Sequence, residues 1–363
     1  MNPTLRYPFP DAPAFGTTLD IGAGVRWLRM PLPMSLGHIN LYLIDGGEGW
    51  YIVDTGIAGE QTQAYWQEIL DNCLEGRPVI AIIVTHMHPD HIGQAGWLTR
   101  KLRVPCYMTL GEYYTARTLV SMDVKSTDWD VEAFFRGAGF DDDYLSGLKK
   151  NRLGFGKMIE ELPASYIRLR EGDLMSWGGQ DWRVVIGEGH SPEHACLYNA
   201  GRKVMIAGDQ IIANITSNVS VMAMEPQANP LNQWLNSLEA LKAIPDDTLI
   251  LPAHGLPFYG VQLRLQQLID HHEDHMEALE EACLSSRTAL SLLPVLFKRK
   301  LDQSQIGLAI GECIAHLHLL MQRGRIARLT DADGVYQYTT TDPSVANRRG
   351  KKEHHLDEAP LQV

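Results

Sequence analysis

Between Thr85 and Gly93 the chain reads THMHPDHIG, which places three imidazoles and one carboxylate within six positions. The cluster follows directly on Val79–Val84, a continuous apolar run of the kind that forms a strand buried on both faces. Side chains on a loop leaving such a strand can converge on a metal ion, and no packing requirement explains so dense a set of polar rings. A zinc-type site wants about four donors, so further ligands are needed. Three residues offer them from similar positions: His190 after WRVVIGEG, Asp209 after KVMIAG and His254 after TLILPA, each one to three residues past an apolar stretch. Loops at strand ends are held by a rigid scaffold, so a repeated placement there is a coherent set of candidates.

The elements that must carry these residues are legible from periodicity. Short apolar runs alternate with turn residues from Val25 to Val53, a strand and hairpin pattern. Gln61 to Leu74 has helical spacing. From Glu112 to Lys157 the strand signal disappears, and the segment reads as a helical insertion. Strands resume at 182–186, 195–198, 203–207 and 248–251, a count that implies a second sheet. Beyond Gly260 helical patterns lead to two short strands, IARLT and GVYQYT, in a winged-helix-like order. The polar stretch from Asp342 is expected to be disordered. The expected domains are 1–260 (with 112–157 as insertion or cap), 261–341, and a tail at 342–363.

Composition narrows the class. Over 363 residues, 32 basic against 44 acidic side chains give a net charge of −12, with 45% hydrophobic residues, enough for a large and a small domain. Net negative charge argues against nucleic acid or an anionic membrane as the main partner. Five scattered cysteines with no CxxC pair suggest neither disulfides nor a thiolate zinc site, and no apolar run is long enough for a signal peptide or membrane span. The expected location is the cytoplasm.

The series VDTG, THMHPDHIG, GEGHSPEH, AGDQI and PAHG resembles, in order, the five motifs of the metallo-β-lactamase superfamily. The resemblance spans about two thirds of the chain. It implies an α+β fold, the αββα sandwich, carrying here a helical insertion and a small C-terminal winged-helix-like domain. It also implies that His86, His88 and His190 bind one ion, that Asp90, His91 and His254 bind a second, and that Asp209 bridges both. Asp54 is then a carboxylate that orients ligand groups, and Asp90 a candidate acid toward the leaving group. The implied cofactors are two divalent ions, zinc first, with iron or manganese as options. Asp209 in place of Cys disfavours a true β-lactamase, and the short Asp209–His254 interval leaves no room for the extra domain of the nuclease branch.

What remains resembles the glyoxalase II, thioesterase and lactonase group. The expectation is a hydrolase in which hydroxide bridging two ions attacks a small-molecule ester, thioester or lactone. The C-terminal Arg/Lys pattern that holds glutathione is missing, which disfavours glutathione thioesters. One alternative is a nuclease or nucleic-acid binder using the basic Lys298, Arg299, Lys300, Arg323, Arg325 and Arg328. Another is a mononuclear iron dioxygenase of the persulfide dioxygenase type. The small domain leaves a homodimer open.

Several residues stay between roles. His194 reads either as support for the site or as packing, and Asn214, Ser217 and Asn218 as pocket lining or a polar loop. His271, His272 and His275 are expected on a solvated helix face, and His316 and His318 are two apart and cannot share a face. The insertion's aromatics (Tyr113, Tyr114, Trp129, Phe134, Phe135, Phe140) suit either an apolar substrate or the insertion's own core.

Overall fold

The computed structural model describes residues 4–34, 36–121, 129–150 and 154–348. The chain opens with β1 (Thr18–Asp20), β2 (Val25–Pro31), β3 (His38–Asp45), β4 (Trp50–Val53), α1 (Glu60–Asn72), β5 (Val79–Ile83), α2 (Pro89–Ile92), α3 (Ala95–Leu102), β6 (Cys106–Met108), α4 (Leu110–Ser121), α5 (Trp129–Ala138) and α6 (Asp142–Lys150). It continues with β7 (Ile167–Arg168), β8 (Leu174–Trp177), β9 (Gln180–Gly187), β10 (His194–Asn199), β11 (Val204–Gly208), α7 (Pro230–Leu241), β12 (Leu249–Pro252), α8 (Val261–Ala282), α9 (Ala289–Leu296), α10 (Gln303–Gln322), β13 (Ile326–Thr330) and β14 (Tyr336–Thr340). The chain divides into two compact units: Met1–Met122, Leu153–Ser217 and Ala240–Leu265 form the first, and Asp123–Arg152, Asn218–Glu239 and Gln266–Val363 the second.

Unit 1 is built on two sheets, of order β1-β2-β3-β4-β5-β6-β7 and β12-β11-β10-β9-β8. Strand alternation explains their stacking, because residues two apart share a face. On β3, Ile39, Leu41 and Leu43 enter the core beneath the helices, where they meet Trp66 and Ile69 of α1, Leu98 of α3 and Tyr113 of α4. Their neighbours Tyr42 and Ile44 enter the other core, between the sheets, where they meet Trp182, Val184, Leu197 and Ile206. The first sheet is thus buried on both faces, which is why β5 carries the unbroken run VIAII.

The two sheets are joined at one edge. Ala195 N donates to Thr85 O at 2.8 Å, and Asn40 N to Ala253 O at 2.6 Å. Strands β4 and β5 run parallel, as do β11 and β12, so their C-terminal ends all arrive there. His194, the first residue of β10, pairs with Gly187, the last of β9, so the antiparallel pair β9–β10 also opens onto this edge.

Unit 2 contains α5, α6, α9, α10, most of α7 and α8, and the antiparallel ribbon β13–β14. Thr288 and Ser291 form a reciprocal capping box that starts α9. The insertion expected over 112–157 is not one element. Tyr113 and Ala116 of α4 pack into the helix-side core of unit 1. Helix α5 instead lines a cavity of about 170 Å³ with Ile314, His318 and Tyr338 of unit 2. The boundary between units falls inside α8, after Leu265, rather than at Gly260. At the C-terminus Pro343–Arg348 forms a short 3-10 helix with Val345 buried, and the rest of the expected tail lies outside the described residues.

The helix histidines correct the sequence expectation of a solvated face. His272 and His275 are buried, and His272 Nδ1 lies 3.1 Å from Nε2 of His316. His316 and His318 are buried too, with Nδ1 donating to the carbonyls of Glu312 (2.8 Å) and Ala228 (2.7 Å) respectively. Helical spacing cannot tell a polar face that meets water from one that meets a second helix carrying a matching acceptor. Among the described residues no helix is long and apolar enough to cross a membrane.

Candidate metal centre

The strand-end loops bring two groups of ligand atoms together. His86, His88, His190 and Asp209 offer four atoms within 4.8 Å of one another, and Asp90, His91 and His254 offer three. In the first group His86 Nε2 is 2.9 Å from His88 Nδ1 and 3.3 Å from His190 Nε2. Nitrogen ligands about 2.0 Å from one tetrahedral ion lie roughly 3.3 Å apart, so separations in this range fit a shared cation.

Asp209 faces both groups with different oxygens. Oδ2 lies 3.3 Å from His190 Nε2 and 3.8 Å from His86 Nε2. Oδ1 lies 3.5 Å from His254 Nε2 and 3.6 Å from His91 Nε2. Asp90 Oδ2 completes the second group at 3.5 Å from His254 Nε2 and 3.7 Å from His91 Nε2. Most of these separations exceed ordinary hydrogen-bond length yet match the spacing of donors around one ion. Moreover, His91 Nε2 and Asp209 Oδ1 are buried without a hydrogen-bond partner. Two such atoms aimed at each other's surroundings are costly unless a cation satisfies them, so the residues present fit a pair of divalent ions.

Several of these side chains are held from behind. Pro89 occupies the first turn of α2, with its missing N–H where none is needed, and this turn sets Asp90 and His91 after His88. Asp54 sits at a positive φ of 62° at the end of β4, a conformation Asp tolerates better than most residues. Its carboxylate accepts from Thr85 N (2.8 Å) and Thr85 Oγ1 (2.8 Å to Oδ2), and Oδ2 lies 2.7 Å from His91 Nδ1. Thr55 donates to His91 O from both its backbone N (2.8 Å) and its hydroxyl (2.6 Å), fixing the same turn.

His254 donates Nδ1–H to His38 O at 2.9 Å. Its loop is tied to the first sheet by Asn40 Nδ2, donating to Pro252 O and Gly255 O, and by Tyr42 OH, donating to Pro252 O at 2.7 Å. His194, open between two roles in the sequence, supports the site: Asp209 N donates to its Nε2 at 3.1 Å. That approach requires Gly208, where φ is +52° and an added Cβ would come 2.6 Å from His194 Nε2. Ser217 also donates to Asp209 O, whereas Asn214 accepts from Tyr7 OH at 2.9 Å and Asn218 donates to Glu312 at 2.9 Å in unit 2.

The electrostatics separate the two groups. Burial, reinforced by neighbouring imidazoles, pushes His86 well below the ordinary imidazole range and His88 down to about 3, so both present lone pairs. Burial would also lower His91 and His254, but Asp54, Asp90 and Asp209 outweigh it for His91, and Asp209 and Asp90 for His254, holding both above that range. Burial would raise Asp209, yet His254 and His91 hold its carboxyl well below the usual carboxylate range.

Thr85, His38 and Glu112 are parts of the site that sequence reasoning did not assign. Thr85 lay inside the motif, while nothing in spacing marks the other two. Of the aromatics of the former insertion, Phe140 stacks on Tyr144 within the segment at 4.0 Å, Tyr113 stacks on Tyr166 beyond it at 4.1 Å, and Trp129 is 81% exposed.

A buried His/Asp cluster at the converging edge of two stacked sheets defines a metal-binding α+β class. The metallo-β-lactamase superfamily profile matches residues 34–254, and a metallo-β-lactamase-like C-terminal domain profile matches 276–341. The chain belongs to the metallo-β-lactamase superfamily of metallo-hydrolases. The crystal structure of a β-lactamase domain protein from Burkholderia ambifaria is similar at 41% identity and a TM-score of 0.86, covering 93% of this chain and 98% of that one. The probable metallo-hydrolase YqjP of Bacillus subtilis is 25% identical, over 88% of this chain and 98% of its own length. Human acyl-coenzyme A thioesterase MBLAC2 is 23% identical, over 67% of this chain and 82% of its own.

Proposed function

We propose that the protein is a dinuclear metal-dependent hydrolase that cleaves a carbonyl ester, thioester or lactone of a small molecule. The observation that carries this reading is the division of Asp209, whose two oxygens face two separate sets of imidazoles. Two divalent cations held there, zinc in the first instance, would supply a polarised carbonyl and a water acidified from about 16 to about 7. His86, His88 and His190 would hold one ion, and Asp90, His91 and His254 the other, with Asp209 between them.

The chain's own contribution is placement and charge. Asp54 keeps His91 in the tautomer whose Nε2 faces the centre. Asp90, whose Oδ2 lies 3.7 Å from His91 Nε2 and 3.5 Å from His254 Nε2, would relay a proton from the attacking water to a departing alkoxide or thiolate. The similarity to an acyl-coenzyme A thioesterase favours a thioester within this class.

The two alternatives lose ground on specific residues. Arg323 pairs with Glu273 at 2.8 Å and Arg325 with the buried Glu280, so two cations of the basic patch are already engaged. A complete second ligand group favours two ions over the single iron of a dioxygenase. The test is elemental analysis of the purified protein together with a panel of acyl thioesters, lactones and aryl esters. Two equivalents of metal and turnover lost at least a hundredfold in Asp209→Ala are expected. Bound metal at one equivalent or less, or turnover unchanged in the variant, would overturn the reading.

A further inference from the structure

Glu112 lies in the first turn of α4, fully buried, away from both ligand groups in sequence. Its two oxygens go to two different loops. Oε2 accepts from Met87 N at 2.9 Å, the peptide between His86 and His88. Oε1 accepts from Ser191 Oγ at 2.6 Å and Glu193 N at 2.7 Å, immediately after His190. The clasp is reciprocal: Glu193 Oε2 accepts from Gly111 N at 2.7 Å, and Thr109 Oγ1 donates to Glu193 O at 2.8 Å. The surfaces are so close that a Cβ on Gly111 would come 3.0 Å from Pro192 Cβ.

A buried carboxylate is costly unless its lone pairs are met, and three donors meet this one. These three donors are two backbone N–H groups and the hydroxyl of Ser191. What the carboxylate fixes is the relative position of two backbone segments that between them carry His86, His88 and His190. The strand ends behind these loops are joined by Ala195 N donating to Thr85 O at 2.8 Å, and Glu112 ties the loops themselves, at Met87 on one side and at Ser191 and Glu193 on the other. The loop bearing Asp90 and His91 is held independently, by Asp54 and Thr55.

We propose that Glu112 is a positioning residue that sets the spacing of His86 and His88 against His190, and thereby the affinity of the ion those three residues hold. The proposal rests on reading those three histidines as ligands of one ion. Glutamine is the decisive substitution, because it keeps size but turns an NH₂ toward donors at one end or the other. Outer groups that orient metal ligands govern affinity by about 10–100-fold.

The experiment is cobalt(II) titration of the metal-free protein, followed by absorption and calorimetry, with thermal unfolding of the metal-free form alongside. Two backgrounds separate the ions: His254→Ala leaves the His86/His88/His190 group, and His88→Ala leaves the other. Glu112→Gln is expected to weaken cobalt binding about tenfold or more in the first background and less than about twofold in the second, with metal-free unfolding little changed. Ser191→Ala removes one of the three bonds and is expected to give a smaller loss in the first background only, a check that stands even where the Gln variant does not fold. Equal affinities with and without the substitution, or equal losses in both backgrounds, would overturn the role of Glu112. Failure of the unsubstituted protein to take up cobalt would overturn the metal site beneath it.

Discussion

Asp54 Oδ2 lies 2.7 Å from His91 Nδ1, and this contact decides which ring nitrogen of His91 faces the centre. With Nδ1–H donated to Asp54, Nε2 is the nitrogen left facing Asp90 and Asp209, able to take an ion once its own proton is displaced. Asp54→Asn preserves shape and tolerates the same left-handed backbone, but its amide N–H must donate to Nδ1 and so moves the proton onto Nε2. Metal affinity at the Asp90/His91/His254 group is expected to fall about 10–100-fold, with turnover falling in step. Zinc competition against a chromogenic chelator measures it, and unaltered affinity would count against the tautomer argument.

Because Asp209 serves both groups and His254 only one, their substitutions should differ in kind. Asp209→Ala is expected to lose both metal equivalents after chelator treatment and reloading, and His254→Ala only one, as counted by elemental analysis. His91 and His254 are held above the ordinary imidazole range by their carboxylates, so in the metal-free protein they keep their protons to higher pH than a free imidazole does. Metal uptake must displace them, and the apparent affinity should therefore rise with pH and proton release should accompany binding. Uptake without proton release at pH 6.5 would contradict this.

Gly208→Ala tests the close approach of β11 to His194. The residue would have to hold φ near +52° and place a Cβ 2.6 Å from His194 Nε2. The left-handed backbone alone costs about 1–2 kcal/mol. A fall in unfolding temperature is expected together with weaker metal binding, because the peptide of Asp209 is displaced with it. A variant as stable and as metal-loaded as the parent would show that the edge is more compliant than its geometry implies.

Glu312, buried on α10 beside Asn218, gives a pH prediction for the second unit. Burial raises its carboxyl from 4.5 to about 7, so the folded protein keeps a proton that the unfolded chain has lost. Stability must then fall as pH rises from about 4.5 to about 7, by about 3 kcal/mol for this group. Glu312→Gln should be more stable than the parent at pH 8 and lose that advantage at pH 5, as read by urea unfolding. His316, pushed down to about 4 by burial, acts in the opposite sense, losing stability as pH falls from 6.5 toward 4. That slope is common to both proteins, so their difference isolates Glu312.

By itself the sequence picked out the candidate ligand residues and the strands that carry them. HxHxDH is contiguous, and His190, Asp209 and His254 each follow a strand-like run, so local spacing sufficed to mark them as candidates. Tertiary structure decided what local spacing cannot express. Asp209 has two oxygens, and only the convergence of β5, β9, β11 and β12 at one edge gives each a different audience. Glu112 is 25 residues from Met87 and 81 from Glu193, a coupling that no periodicity records. Likewise the helical pattern of 129–150 was visible, but not that it would join the C-terminal unit. The same holds for His272 and His275, since a polar face is solvated or buried according to whether another element brings a partner such as His316.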